Sequence, residues 1–167
     1  MAVKQTIAFI GAADGLSTAL VKKLAEANYP LLFVSNDGYR YQQFTDQVKR
    51  DIPNADIEIT DCAKEGCWEA DIIALFDNTA LERELLERIE IVATQKVVIA
   101  ISAFGKEAST SIRVKELQQM LPNSKVIQLL YNDPAGLELL VAGEGKEAID
   151  LVSTLFENAG FIITKKI

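Results

Sequence analysis

Thr6-Ile7-Ala8-Phe9-Ile10-Gly11-Ala12-Ala13-Asp14-Gly15-Leu16-Ser17 decides the fold. The run 6–10 is apolar at odd and even positions alike, as in a strand buried on both faces of a parallel sheet. Gly11 ends it, because glycine turns sharply at no steric cost. Leu16, Leu20 and Leu24 then repeat at helical period, with Ala19 and Val21 beside them. Asn28-Tyr29-Pro30 stops that helix. A strand, a turn of small residues and a helix open a βαβ unit.

The rest of the chain repeats the alternation. Strands are expected at 31–34, 57–59, 71–76, 97–101, 126–130, 137–141 and 161–163. Helices are expected at 41–51, on the period of Leu81, Leu85, Leu86 and Ile89, at 109–121, and on Ile149, Val152 and Leu155 or Phe156 up to Gly160. Residues 61–69 read as a loop or one helical turn. No repeat, low-complexity tract or linker divides the 167 residues, so one domain is expected over 1–167. The expected fold class is α/β: a doubly wound, mostly parallel sheet with helices on both faces and right-handed crossovers.

Charge and composition narrow the function. A net charge of −7 argues against nucleic acid and anionic membranes, which need a basic face. The chain has no histidine, so the commonest general base and metal ligand are missing. Cys62 and Cys67 alone do not complete a four-ligand metal site, so no metal is expected. Reduced, structural cysteines, no signal peptide and no membrane span are expected, and hence a cytoplasmic protein.

The turn at 11–17 has the placement of a phosphate site. The first N–H groups of a helix lack partners, and the helix dipole is positive at that end. Gly11, Ala12, Ala13, Asp14, Gly15 and Leu16 are the candidate phosphate-loop residues. Against G-x-G-x-x-G, Gly11 matches, Ala13 replaces the second glycine and Leu16 the third. An unliganded strand-to-helix turn needs small residues as well.

The end of the second strand is the next candidate position. Ser35 and Asn36 stand where an acid commonly holds the NAD ribose, and Arg40 is close enough for a 2′-phosphate. This favours NADP, while Asp37 keeps NAD open. Phe76 with Asn78, and Ser102, lie at two further strand ends that should face the same crevice. Asn78 and Thr79 serve equally well as helix caps. Trp68, beside Cys67, is expected in the core or at an interface, and Asp71 with Asp77 brackets a strand.

The chain resembles the NADP-binding domain of deazaflavin (F420)-dependent NADP reductases, a group related to pyrroline-carboxylate reductases. The likeness rests on 7–24, on Ser35-Asn36, on Ala70-Asp71-Ile72-Ile73-Ala74-Leu75 and on Lys96-Val97-Val98-Ile99. It continues through Leu121-Pro122-Asn123-Ser124-Lys125-Val126, Val141-Ala142-Gly143-Glu144-Gly145-Lys146-Glu147-Ala148 and Ala159-Gly160-Phe161. It implies a Rossmann-like fold and hydride transfer between NADP and a flavin- or deazaflavin-like acceptor. The phosphate loop is poorer in glycine than is usual in that family. A weaker likeness, to short-chain dehydrogenases, lies in Gly11 to Leu16 and in Thr60-Asp61, but no Tyr-x-x-x-Lys accompanies it.

Hydride transfer between two bound cofactors suits a chain without histidine. The protein then contributes mainly positioning, about 7–11 kcal/mol in well-oriented reactions. A lone domain offers half of a two-cofactor site, which points to a homodimer. The alternative is a non-enzymatic nucleotide-sensing or assembly module.

Overall fold

The computed structural model describes residues 4–10, 15–35, 38–76, 83–103, 107–131 and 137–166; of 15–17, 38–40, 83, 103 and 107–113 it describes the backbone. The elements are β1 (Ile7–Ile10), α1 (Gly15–Glu26), β2 (Leu31–Val34), α2 (Gly38–Asp51), β3 (Ile57–Thr60), α3 (Ala63–Glu69) and β4 (Ile72–Phe76). There follow α4 (Arg83–Ile89), β5 (Val97–Ala103), α5 (Glu107–Met120), β6 (Lys125–Tyr131), β7 (Glu138–Gly143), α6 (Lys146–Asn158) and β8 (Ile162–Lys166).

The eight strands form one sheet in the order β3-β2-β1-β4-β5-β6-β7-β8. The first six run parallel. β7 pairs antiparallel with β6, and β8 is parallel to β7, so the last two run against the rest. β1, β2 and β4 are buried at every position, as apolar strands covered on both faces must be. β8, at the edge, is exposed at four of its five positions and ends in Lys165 and Lys166, charges that blunt an open edge.

Side-chain alternation divides the core in two. Ile7, Phe9, Phe33, Ile72 and Phe76 point to the face covered by α1, α2 and α6. Ile10, Val34, Ile73 and Leu75 point to the face that holds Cys67 of α3, Leu86 and Ile89 of α4 and Leu117 of α5. Leu20, Val21 and Leu24 form the buried stripe of α1, whereas Ala19 is exposed.

The stop signals act through backbone geometry. Asn28 has φ 67°, its N–H donates to Ala25 O, and Tyr29 N–H donates to Leu24 O. Gly160, φ 97°, repeats this closure at the end of α6, where Phe161 N–H reaches Phe156 O. Both are the paired 5→2 and 6→1 bonds that satisfy the last helical carbonyls.

Several expectations are refined. Residues 63–69 are a full short helix, not a loop or single turn. Gly66 lets it dock: a Cβ there would come within 2.8 Å of Val34 Cγ2 and 3.1 Å of Thr60 Cγ2. Trp68 is 71% exposed, which excludes the core and leaves the interface of its two expected places. The strand starting after Asp71 is one residue shorter than expected, because the Asp71 carboxylate accepts the Thr6 N–H at 2.8 Å.

The chain after β6 forms β7, α6 and β8, a closing helix–strand pair that the short-chain dehydrogenase topology lacks. That likeness is therefore local. Among the described residues no helix is long and apolar enough to cross a membrane.

Candidate nucleotide-binding crevice

The sheet order reverses between β1 and β4. From β1 the chain proceeds to β2 and β3 on one side; α3 then returns it to β4 on the other. In such sheets a crevice opens beyond the carboxyl ends of the two strands at the reversal. The register sets these ends level: Ile10 is paired with Val34 and with Leu75, Val34 with Thr60, and Leu75 with Ala100.

Two helices open over this end. α1 starts at Gly15, four residues after β1, and α2 starts at Gly38, soon after β2. Neither has an acidic residue in its first turn. α3, α4 and α6 carry Glu65, Glu84 and Glu147 there. A first-turn carboxylate would compete with an anion for the positive helix end; α1 and α2 have none within the turn, and Asp14 and Asp37 directly precede them in sequence.

Gly15 and Leu16 begin α1, and Arg40 lies in the first turn of α2. Gly11, Ala12, Ala13 and Asp14, together with Asn36 and Asn78, fall outside the described residues. Ser35 is half-buried at the end of β2, and its N–H donates to Thr60 O at 3.0 Å, tying the ends of β2 and β3 together. Thr60, the last residue of β3, is thus at the crevice edge; the sequence singled it out only within the weaker, short-chain dehydrogenase likeness.

Phe76 is placed differently from the expectation. It is 6% exposed and stacks on Phe9, with ring centroids 5.7 Å apart and planes 19° apart. Phe9 in turn stacks on Phe33 at 5.6 Å. The cause is parity: Phe9 is paired with Ala74, so Phe76, two residues on, points to the same face. Its side chain fills the core beneath the crevice and does not line it. Ser102 of β5, 1% exposed and paired with Leu130 of β6, is also buried.

Among the described residues the perturbed titratable groups lie elsewhere. Lys22, 2.7 Å from Asp51, holds that carboxyl below its usual range. Burial pushes the Cys67 thiol up to about 12 and lowers the Lys96 ammonium. Lys96 is far from the crevice: its Nζ donates to Cys67 O and Trp68 O at the end of α3. Among the described residues no cluster of three or more His, Cys, Asp or Glu is placed to hold a metal. Two open clefts, of about 460 Å³ beside Gln5, Tyr29 and Asp150 and about 330 Å³ beside Thr6, Leu31 and Glu69, lie at the opposite end of the strands. The crevice can therefore bind and orient an anionic ligand.

No protein-family profile matches the chain, and no curated protein matches it in sequence. Solved structures do share its fold. An imine reductase variant from Myxococcus stipitatus in complex with NAD+ superposes with TM-score 0.74 at 16% identity, covering 98% of this chain and 55% of that one. A candidate F420-dependent NADP reductase from Arthrobacter sp. FB24 gives 0.68 at 14% identity, covering 96% and 84%. A pyrroline-5-carboxylate reductase from Coxiella burnetii gives 0.71 at 14% identity, covering 99% and 60%. The chain thus spans little more than half the imine reductase, and it has the Rossmann-like α/β fold of all three.

Proposed function

We propose that the chain binds NADP in the crevice at the β1–β4 reversal and holds its nicotinamide for hydride transfer to a flavin- or deazaflavin-like acceptor. The carrying observation is that α1 and α2, which open over the ends of β1 and β2, have no acid in their first turns. Support comes from the neighbours sharing the fold, one in complex with NAD+ and another described as an NADP reductase. On this reading residues 11–16 hold the pyrophosphate, Ser35 and Asn36 the ribose, and Arg40 the 2′-phosphate. Asn78 borders the nicotinamide, and the chain works as a single cytoplasmic domain. When bound, the cofactor supplies the hydride; the protein supplies position and excludes water.

Calorimetric titration with NADPH and NADH tests the reading. Heat and a thermal shift with NADPH, smaller with NADH, are expected. No heat and no shift at millimolar nucleotide would overturn it.

A second reading is a nucleotide-binding module without turnover. It is favoured by the burial of Phe76 and Ser102, which takes both side chains away from a ligand in the crevice. The two readings share the binding step and part on hydride transfer. Oxidation of NADPH upon addition of a flavin or deazaflavin excludes the second.

A further inference from the structure

We propose that Trp68 and Ile91 form the centre of a homodimer interface at the end of the sheet opposite the crevice. Trp68 is 71% and Ile91 80% exposed, the two most exposed large apolar side chains among the described residues. They occupy the same end of the sheet. Trp68 closes α3 just before β4, and Ile91 lies in the turn between α4 and β5. α3 packs against α4, and Lys96 joins the two segments. Its N–H donates to Ala93 O in the Ile91 turn, and its Nζ donates to Cys67 O and Trp68 O.

The same ammonium stands 5.9 Å from the centre of the Trp68 ring. Most of the ring faces solvent. Exposed aromatic side chains are common anchors of protein interfaces.

The rim indicates what docks. Lys64, Glu65 and Glu69 of α3 and Glu87 and Arg88 of α4, with Glu90 just beyond, surround the apolar centre with both signs of charge. None of the six belongs to an ion pair among the described residues; the pairs found there are Lys22–Asp51 and Lys165–Asp150. A two-fold interface must match itself, so it needs cations and carboxylates on one patch, free to reach across the axis. A rim of one sign would favour a partner of the opposite charge. The other exposed apolar pair, Leu137 and Ile162, is less exposed and lies at the open β8 edge. Contact through Trp68 and Ile91 would leave both crevices open and facing away from each other.

The chain has one tryptophan, so its fluorescence reports on this patch alone. Sedimentation velocity and Trp emission of the full chain are followed together as concentration rises. A monomer-to-dimer rise in sedimentation coefficient is expected, with emission moving to shorter wavelength over the same range. Ile91→Glu, with unchanged circular dichroism, is expected to weaken dimerisation at least about tenfold. Ile91→Ser serves as the uncharged control on folding and is expected to weaken it less. A chain that stays monomeric up to about 0.1 mM overturns the proposal. So does a dimer that leaves Trp emission unmoved, or an Ile91→Glu variant that dimerises like the parent.

Discussion

Thr6 and Asp71 hold each other in both directions: the Thr6 N–H donates to the Asp71 carboxylate at 2.8 Å, and the Asp71 N–H donates to the Thr6 carbonyl at 2.9 Å. This pair pins the lower ends of β1 and β4. Asp71→Ala removes the acceptor of an exposed bond and is expected to cost about 1 kcal/mol, read from urea unfolding. An unchanged midpoint would show that water replaces the carboxylate there.

Phe76→Ala should be far more costly. It opens a cavity beside Phe9 in a fully enclosed stack, and about 3–5 kcal/mol of stability should be lost. NADPH affinity of the folded variant should change by less than about tenfold, because the ring does not line the crevice. A greater loss of affinity at retained stability would place the ring in the cofactor site.

Gly66→Ala drives a Cβ to within 2.8 Å of Val34 Cγ2 on the sheet. Relief requires α3 to lift or β2 side chains to turn. Destabilisation of about 1–3 kcal/mol is expected by chemical unfolding. The more permissive Gly145, with nothing within 4 Å of its added Cβ, should lose stability through its φ of 96° alone.

Alkaline pH should weaken the fold through Cys67. Burial raises the folded thiol to about 12 against an ordinary 9.0, so the folded state keeps a proton that the unfolded state releases. The stabilisation from this group is complete below pH 9.0 and is lost as pH climbs towards about 12. Lys96 works oppositely, since burial lowers its ammonium in the folded state. Comparison with Cys67→Ala isolates the thiol: the gap between wild type and variant should narrow by about 2 kcal/mol by about pH 10.5. A gap independent of pH would refute the assignment.

Arg40→Ala tests the choice of cofactor. Loss of a charge-assisted contact to a 2′-phosphate should weaken NADPH about 10- to 100-fold and leave NADH within about twofold, both read by calorimetry. Equal losses for both would place Arg40 away from the 2′-phosphate.

Much of the fold was legible because doubly buried strands have no polar alternation to obscure them: Leu31–Val34 coincides with the expected span, and the turn that closes α1 at Asn28 follows its stop signal. α3 was not legible. It has seven residues, a glycine inside it, and a Cys62 cap that makes no side-chain hydrogen bond. The reversal of β7 was equally hidden, since strand direction depends on which neighbours the strand meets. At the candidate site the helix opening at Gly15 could be read from the turn. The burial of Phe76 could not, because it depends on the register of β4 against β1.

The pairing of β1 with β4 joins Ile7 to Ile72, contacts 65 positions apart along the chain, whereas the other strand pairs connect segments much closer in sequence. Closing so long a loop costs more entropy than forming β1–β2–β3 or β4–β5–β6 locally, and distant contacts slow folding. The two blocks are therefore expected to gain protection from hydrogen exchange first, with the amides between β1 and β4 last. A nucleotide lying across that seam would be a staple between separately formed halves.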